Sequence, residues 1–530
     1  MTKRTATAAV VMVSLAFTGC GTAQHLSGPP SAVSEAPPNE GSGVDIPPGR
    51  IGDAVAKVDG LVADLMKTSG IPGMAVAIVH GGKTLYAKGF GVRDASRGDR
   101  QDNKVDADTV FQLASLSKSV GATVVAHEVT DKVITWDTPV VSVLPWFSLS
   151  DPYVTSHVTV ADFYSHRSGL PDHAGDKLED LGYDRRQALE RLKYLPLAPF
   201  RNSYGYNNFG VTAAAETVAA AAGTPWEELS GEVLYRPLGM ASTSSRHADF
   251  LARPDHASGH VKVGDKWEPR FQRDADPQSA AGGVSSSVND MARWLTMLLA
   301  NGAYDGGRIT SPEALLPAIT PQVVSIPAVN PKARAGFYGH GFNVTVSSSG
   351  RTELSHSGAF TLGAATNFVV LPSEDLAIVA LTNAAPVGVP ETLTAEFLDL
   401  VQYGRIREDW AGLYRKATGW MNNPEGALVG KRPPADPAPS RPLGEYLGVY
   451  TSDYWGPATV TERDGALQLE MGPKNRTFPL THWDGDTFTF PVTDENAPPG
   501  TISKAVFAGS PSATLNLEYF DSDKLGTFTR

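Results

Sequence analysis

Three short segments of this chain carry side chains that could do chemistry together. The first is Ser115-Leu116-Ser117-Lys118, inside the run from Thr109 to Val120. Residues three apart share one face of a helix, so the Lys118 amine can reach the Ser115 hydroxyl. A helix N-terminus also favours negative charge developing beside it. A serine next to an amine in that setting is an activated nucleophile, suited to an acyl-enzyme. Standing alone the pair is weak, because a chain of this length holds on the order of one Ser-x-x-Lys by chance. A capped surface helix would explain it equally well.

The second segment is Tyr206-Asn207-Asn208, in a Gly- and Asn-rich loop leading into an alanine-rich stretch. It offers a phenol as proton shuttle and an amide as hydrogen-bond partner. A neighbouring ammonium would help that phenol act as a base near neutral pH. Tyr204 is the rival tyrosine, but no asparagine stands two places after it. The third segment is His356-Ser357-Gly358, in Glu353–Ala359. A polar ring followed by glycine on an edge strand fits the wall of an acyl-transfer site. There Gly358 would let substrate approach the backbone, and the amides of Ser115 and Ala359 would bind an oxyanion. Each of these segments also has a bland reading as a polar turn.

The elements that must position these groups are legible in outline. Ile51–Met66 has apolar residues at helical spacing. Met74–Val79 and Thr84–Phe90, around Gly81-Gly82, read as a β-hairpin. A long helical stretch follows, including Val211–Ala222, and strands return at Gly341–Val346, Ala365–Leu371 and Leu376–Leu381. A hairpin, a helical insert and further strands predict a mixed α/β domain whose strands pair across the insertion. The Pro-rich stretch Lys431–Pro442 reads as a linker. Beyond it, short strands separated by turns predict a small antiparallel barrel.

Taken together and in this order, the three segments resemble the serine β-lactamase-like superfamily. The likeness is to class C β-lactamases and their relatives among D-stereospecific peptidases and esterases. It runs from about Ile51 to Gln402 and includes Ser165-His-Arg-Ser-Gly-Leu-Pro171, Arg236–Met240, Ala280–Ser285 and Leu381-Thr-Asn383. The resemblance implies an α/β sandwich with an all-α subdomain and the site in the cleft between them. It implies Ser115 as nucleophile, with Lys118 and Tyr206 sharing the general-base and general-acid work in an order it leaves open. Asn208 would orient Lys118 or the substrate amide, and His356, Gly358 and Ala359 would contact substrate. His356 stands where β-lactamases of this type carry lysine, which points toward a peptidase or esterase and away from a dedicated β-lactamase. Leu443–Tyr450, Leu480–Phe488 and the final Gly526–Arg530 resemble the lipocalin-like barrel appended to some of these peptidases.

The expected organisation is therefore a signal and lipobox segment at 1–20 and a flexible tether at 21–50. The hydrolase domain spans 51–405, a connector 406–441, and the lipocalin-like barrel 442–530. Lys3 and Arg4 precede the apolar run Ala8–Phe17, and Thr18-Gly19-Cys20 follows it with the one cysteine of the chain. That run is too short to span a bilayer and resembles a bacterial lipobox, which would make Cys20 a lipidation site. The expected setting is thus the bacterial cell envelope, with a lipid anchor in the membrane. A formal charge of −12 argues against nucleic acid as partner. His157, His166 and His173 lack metal-ligand spacing, and no nucleotide fingerprint occurs, so no metal or cofactor is expected. The acidic stretches Asp99–Asp108 and Asp176–Asp180 read as solvated surface. The expected substrate is a small peptide, with D- or other unusual residues, or an ester. A weak β-lactamase and a slowly acylating penicillin-binding-like module are the alternatives, and an oligomer is compatible with the sequence.

Overall fold

The structure, a computed structural model, describes residue 37 and residues 39–530. Cys20 and the segment around it lie outside the described residues. The larger, N-terminal part of the chain is organised by one antiparallel sheet of eight strands. In chain order these are β1 (Gly73–His80), β2 (Lys83–Gly91), β3 (Val323–Ile326), β4 (Gly336–Tyr338), β5 (Asn343–Val346), β6 (Thr352–Phe360), β7 (Ala364–Leu371) and β8 (Leu376–Thr382). Their spatial order is β2-β1-β8-β7-β6-β5-β4-β3. The hairpin β1–β2 closes on Gly81-Gly82, whose φ angles are 61° and 69°. Both residues occupy the left-handed region that two-residue hairpin turns require, which is why two glycines stand there.

The central strands β1, β7 and β8 are buried on both faces, which explains their unbroken apolar runs. Along β1, Met74, Val76 and Ile78 face one layer while Ala75, Ala77 and Val79 face the other. The first layer consists of helices Arg50–Val55, Val58–Ser69 and Val389–Tyr403. The expected helix over Ile51–Met66 is thus two pieces, parted at Ala56-Lys57, and both pack on Val389–Tyr403. The second layer includes Val288–Leu299, laid against β1 and β8. The large insertion between β2 and β3 is mostly helical. Its Asn208–Ala222 helix is alanine-rich because it is buried among neighbours, touching Val160–Tyr164 and Ser279–Gly282 closely.

Two boundaries differ from expectation. The chain engages the sheet domain before Ile51: Ser42 donates its hydroxyl to the Ser349 carbonyl (2.8 Å), and Arg351 donates to the Val44 carbonyl (2.8 Å). The stretch after 405 is not an extended connector throughout. It forms a helix, Trp410–Thr418, whose Trp410 indole donates to Asp399 (2.8 Å).

Eight further strands, from Gly448–Ser452 to Thr527–Thr529, form a closed antiparallel barrel. Aromatic rings fill it: Tyr446 lies 4.8 Å from Phe507 and 5.2 Å from Phe488, centroid to centroid. The barrel packs on two places that matter for the site. On the segment Gly175–Tyr183, the Gly175 amide donates to the Tyr454 hydroxyl (3.2 Å), and Lys177 donates to the Tyr519 carbonyl (2.6 Å). Tyr183 donates to the Trp455 carbonyl (2.7 Å). At the end of β6, the Thr361 amide donates to the Glu495 carboxylate (2.7 Å).

Candidate active site

Ser115 caps the fifteen-residue helix Leu116–Thr130, of which all but three residues are buried. A helix buried on nearly every side, its polar residues included, is a rigid mount. The residue before Ser115, Ala114, has φ +48° and is fully buried. A non-glycine residue in that region is uncommon and costs about 1 kcal/mol or more, so the turn that presents Ser115 is strained.

Lys118 is completely buried beneath Ser115. Its Nζ lies 3.1 Å from Ser115 Oγ, 2.6 Å from Asn208 Oδ1 and 2.9 Å from the Ala281 carbonyl. Burial pushes its pKa down to about 7, and the charge of Asp176 works in the opposite direction. Near neutral pH a substantial fraction of this amine is therefore unprotonated, and its lone pair can take the Ser115 proton. The ring of Tyr206 lies below the amine, 4.6 Å from centroid to Nζ. Burial pushes its phenol well above the ordinary tyrosine range, with Ser115 pulling the other way. Tyr206 is thus a proton donor at neutral pH, poised beside the nucleophile.

The loop that presents Tyr206 is held by the segment Ser165–His173. Gly205 N donates to the His166 carbonyl (2.9 Å), Asn207 N to His166 Nδ1 (3.1 Å) and Asn207 Nδ2 to the Pro171 carbonyl (3.1 Å). Tyr206 N donates to Asp172 (2.6 Å), and its carbonyl accepts from His173 N (2.8 Å). The buried His166 ring also stands 4.6 Å from the Tyr206 ring. The Ser-His-Arg-Ser-Gly-Leu-Pro stretch is therefore a cradle for the tyrosine loop. Asn207 caps the Asn208–Ala222 helix by accepting from the Gly210 amide. Tyr204 packs against Tyr338 and His166 instead of under the amine.

β6 forms the facing wall, and it is an interior strand, not the edge strand expected. Its pairing with β5 stops at Ser355, however, so His356–Phe360 has a ladder partner only on the β7 side. Gly358 also has a different reason to be glycine. A methyl built there would fall inside 3.0 Å of the Leu113 carbonyl and the Thr366 hydroxyl, with Ser115 N next nearest at 3.1 Å. The missing side chain lets β6 close on the turn that carries Ser115. Ala359 follows Gly358 on the same strand, and its amide and the Ser115 amide are the candidate donors to an oxyanion.

His356 is buried and fully engaged. Its Nδ1 lies 2.7 Å from the Ser357 carbonyl and its Nε2 2.8 Å from the Tyr338 hydroxyl. A ring nitrogen facing a carbonyl must be the protonated one, so Nε2 accepts from Tyr338. Burial and the nearby Lys118 hold its pKa down to about 3, so the imidazole is neutral and supplies no cation. Tyr338, on the three-residue strand β4, went unnoticed in the sequence because so short a strand leaves no pattern.

The reading of Asp176–Asp180 as solvated surface is wrong. Asp176 is 2% exposed, its Oδ2 accepting from Asn208 Nδ2 (2.8 Å) and from His173 Nδ1 (2.9 Å). Glu179 is buried against Arg273 (2.7 Å). The barrel, some 280 residues later in the chain, covers these carboxylates, and no local pattern announces that. Among the described residues, no group of His, Cys, Asp and Glu could hold a metal ion, and no helix is long and apolar enough to cross a membrane.

Comparison with known proteins agrees with this geometry. Residues 58–402 match the family model described as beta-lactamase, and residues 432–517 match a domain of unknown function, DUF3471. An unguisins hydrolase of Aspergillus campestris is 28% identical over 410 residues, 73% of each chain. The D-alanyl-D-alanine-carboxypeptidase/endopeptidase AmpH of Escherichia coli is 21% identical, covering 65% of this chain and 88% of its own. Esterase EstB of Burkholderia gladioli is 25% identical over 65% of this chain and 94% of its own. An octameric penicillin-binding protein homologue from Pyrococcus abyssi shares the fold, with a TM-score of 0.57 at 19% identity over 88% of this chain and 98% of its own.

Proposed function

The chain belongs to the beta-lactamase family, and on that premise we propose that it is a peptidase which cleaves amide bonds of small peptides through an acyl-enzyme on Ser115. One observation carries the reading: a fully buried Lys118 amine 3.1 Å from the Ser115 hydroxyl, with the Tyr206 ring 4.6 Å from the amine. Lys118 takes the proton as Ser115 Oγ bonds to the substrate carbonyl carbon, and the amides of Ser115 and Ala359 hold the resulting oxyanion. Tyr206 donates its proton to the leaving amine as the carbon–nitrogen bond breaks and recovers a proton from the Lys118 ammonium. Water then attacks the ester carbonyl carbon, giving a proton to Lys118; the carbon–Oγ bond breaks, Ser115 Oγ takes that proton back from Lys118, and the carboxylic acid product leaves.

A neutral His356, locked by Tyr338 and a backbone carbonyl, favours a peptidase over a dedicated β-lactamase, since it offers no cation for a lactam carboxylate. The relatives named as a hydrolase of unguisins and as a carboxypeptidase/endopeptidase point the same way. The esterase relative supports the second reading, in which the same site cleaves esters. Export and lipidation at Cys20 remain part of the proposal, on the strength of the charged and apolar run before that cysteine. The test is a panel of short L- and D-residue peptides, simple esters and nitrocefin. Turnover of peptides that is lost in Ser115→Ala supports the peptidase. Turnover of nitrocefin above all else overturns it.

A further inference from the structure

Asn208 contacts Lys118 through its carbonyl oxygen, and an amide can be turned either way at little intrinsic cost. Something must decide which end meets the amine. The flipped amide would set two N–H donors against an ammonium and a carbonyl against whatever lies behind. Behind Asn208 lies the Asp176 carboxylate, an acceptor only, which takes the Asn208 N–H at 2.8 Å. That bond holds one N–H of the amide on the carboxylate and leaves the carbonyl facing Lys118. Asp176 also accepts from His173, while its second oxygen has no hydrogen-bond partner among the described residues.

We propose that Asp176 is a positioning residue for Lys118, acting through Asn208, and that the C-terminal barrel holds it in register. The inference rests on the reading of Lys118 as the base. The residues on either side of Asp176 are each tied to the barrel, Gly175 to the Tyr454 hydroxyl and Lys177 to the Tyr519 carbonyl. Further along, Asp180 accepts from Asn496 (2.9 Å), and Tyr183 donates to the Trp455 carbonyl. A segment of nine residues is thus anchored to the barrel at four points around the carboxylate that fixes Asn208. Besides its contacts along the Lys118–Asn208 line, Asp176 has His173, Asp180, Tyr206 and Tyr454 as titratable neighbours. Lys118 itself is faced by Tyr206, His166, His173 and His356, so Asp176 is the carboxylate whose charge acts on it.

A purely architectural Asp176 and a positioning one differ in their pH signature. In Asp176→Asn the side-chain carbonyl still accepts from Asn208, but the charge that favours the Lys118 ammonium is gone. The acid limb of kcat/KM for p-nitrophenyl acetate, measured on the full chain, should move to lower pH by about half to one unit. Asp176→Glu keeps the charge and displaces it. Its acid limb should stay in place while kcat falls at least about ten-fold. Should Asp176→Asn fail to fold, Asp176→Glu decides alone. A folded Asp176→Asn with an unmoved limb, or Asp176→Glu with full kcat, overturns the inference. Ester turnover surviving in Ser115→Ala would instead overturn the reading beneath it, so the two failures are distinguishable.

Discussion

Gly358→Ala is the perturbation whose effect follows most directly from the geometry. The added methyl would fall inside 3.0 Å of the Leu113 carbonyl and the Thr366 hydroxyl at once. Ordinary carbon–oxygen contact needs about 3.4 Å, so one side must retreat by about 1 Å. Thr366 cannot simply turn away, because its hydroxyl donates to that same Leu113 carbonyl at 2.7 Å. Leu113 is backbone, two residues before the nucleophile, and its amide is itself bonded to Val284 (2.8 Å). The displacement therefore falls on the Leu113–Ser115 turn or on β6, and either one disturbs the approach of β6 to the Ser115 amide. Misplacement by about 1 Å costs about a hundred-fold in rate, equivalent to about 2.7 kcal/mol of transition-state stabilisation. Overpacking should also lower folding stability by about 1–3 kcal/mol. The assay is steady-state turnover of an activated ester, with thermal unfolding of the same samples as control. A folded Gly358→Ala enzyme with wild-type kcat would refute the reasoning, because it would mean that the close approach of β6 to Ser115 is irrelevant to catalysis.

Three other predictions follow from the same side chains. The base must be neutral to act, and Lys118 sits at about 7, so kcat/KM should rise through that pH to a plateau. Lys118→Arg, which stays charged, should lose the plateau, and an unchanged profile would exclude Lys118 as the base. Tyr206→Phe should lower amide cleavage by about 10²–10⁴-fold and cleavage of p-nitrophenyl esters far less, because that leaving group needs no proton; equal losses on both substrates would contradict the acid role. Burial pushes Glu495 up to about 8, so its contribution to stability is present below about pH 4.5 and is lost as pH rises through 8. Glu495→Gln should therefore lose less of its thermal stability between pH 5 and pH 8 than the parent chain does, as differential scanning calorimetry would show.

How much the sequence disclosed depended on how local each signal was. Ser115 and Lys118 were legible because three residues of helix suffice to join them, and Tyr206 and Asn208 because they bracket a helix start. The hairpin around Gly81-Gly82 was legible for the same reason. Asp176 was misread because a carboxylate in a run of polar residues looks solvated until a distant barrel covers it. Gly358 was legible as a glycine beside the site, but only the assembled sheet shows that Leu113 and Thr366 fill the space it leaves. His356 was expected to face substrate, and only the placement of Tyr338 shows both ring nitrogens already engaged.

The central claim is that substrate is carried covalently on Ser115. It is tested most directly by quenching the enzyme in acid during turnover and mapping the adduct by peptide mass spectrometry. The account predicts an acyl group on the peptide containing Ser115, present in the parent chain and absent from Ser115→Ala, which should be inactive. Turnover without any adduct at Ser115, or a Ser115→Ala protein that retains activity, would contradict it.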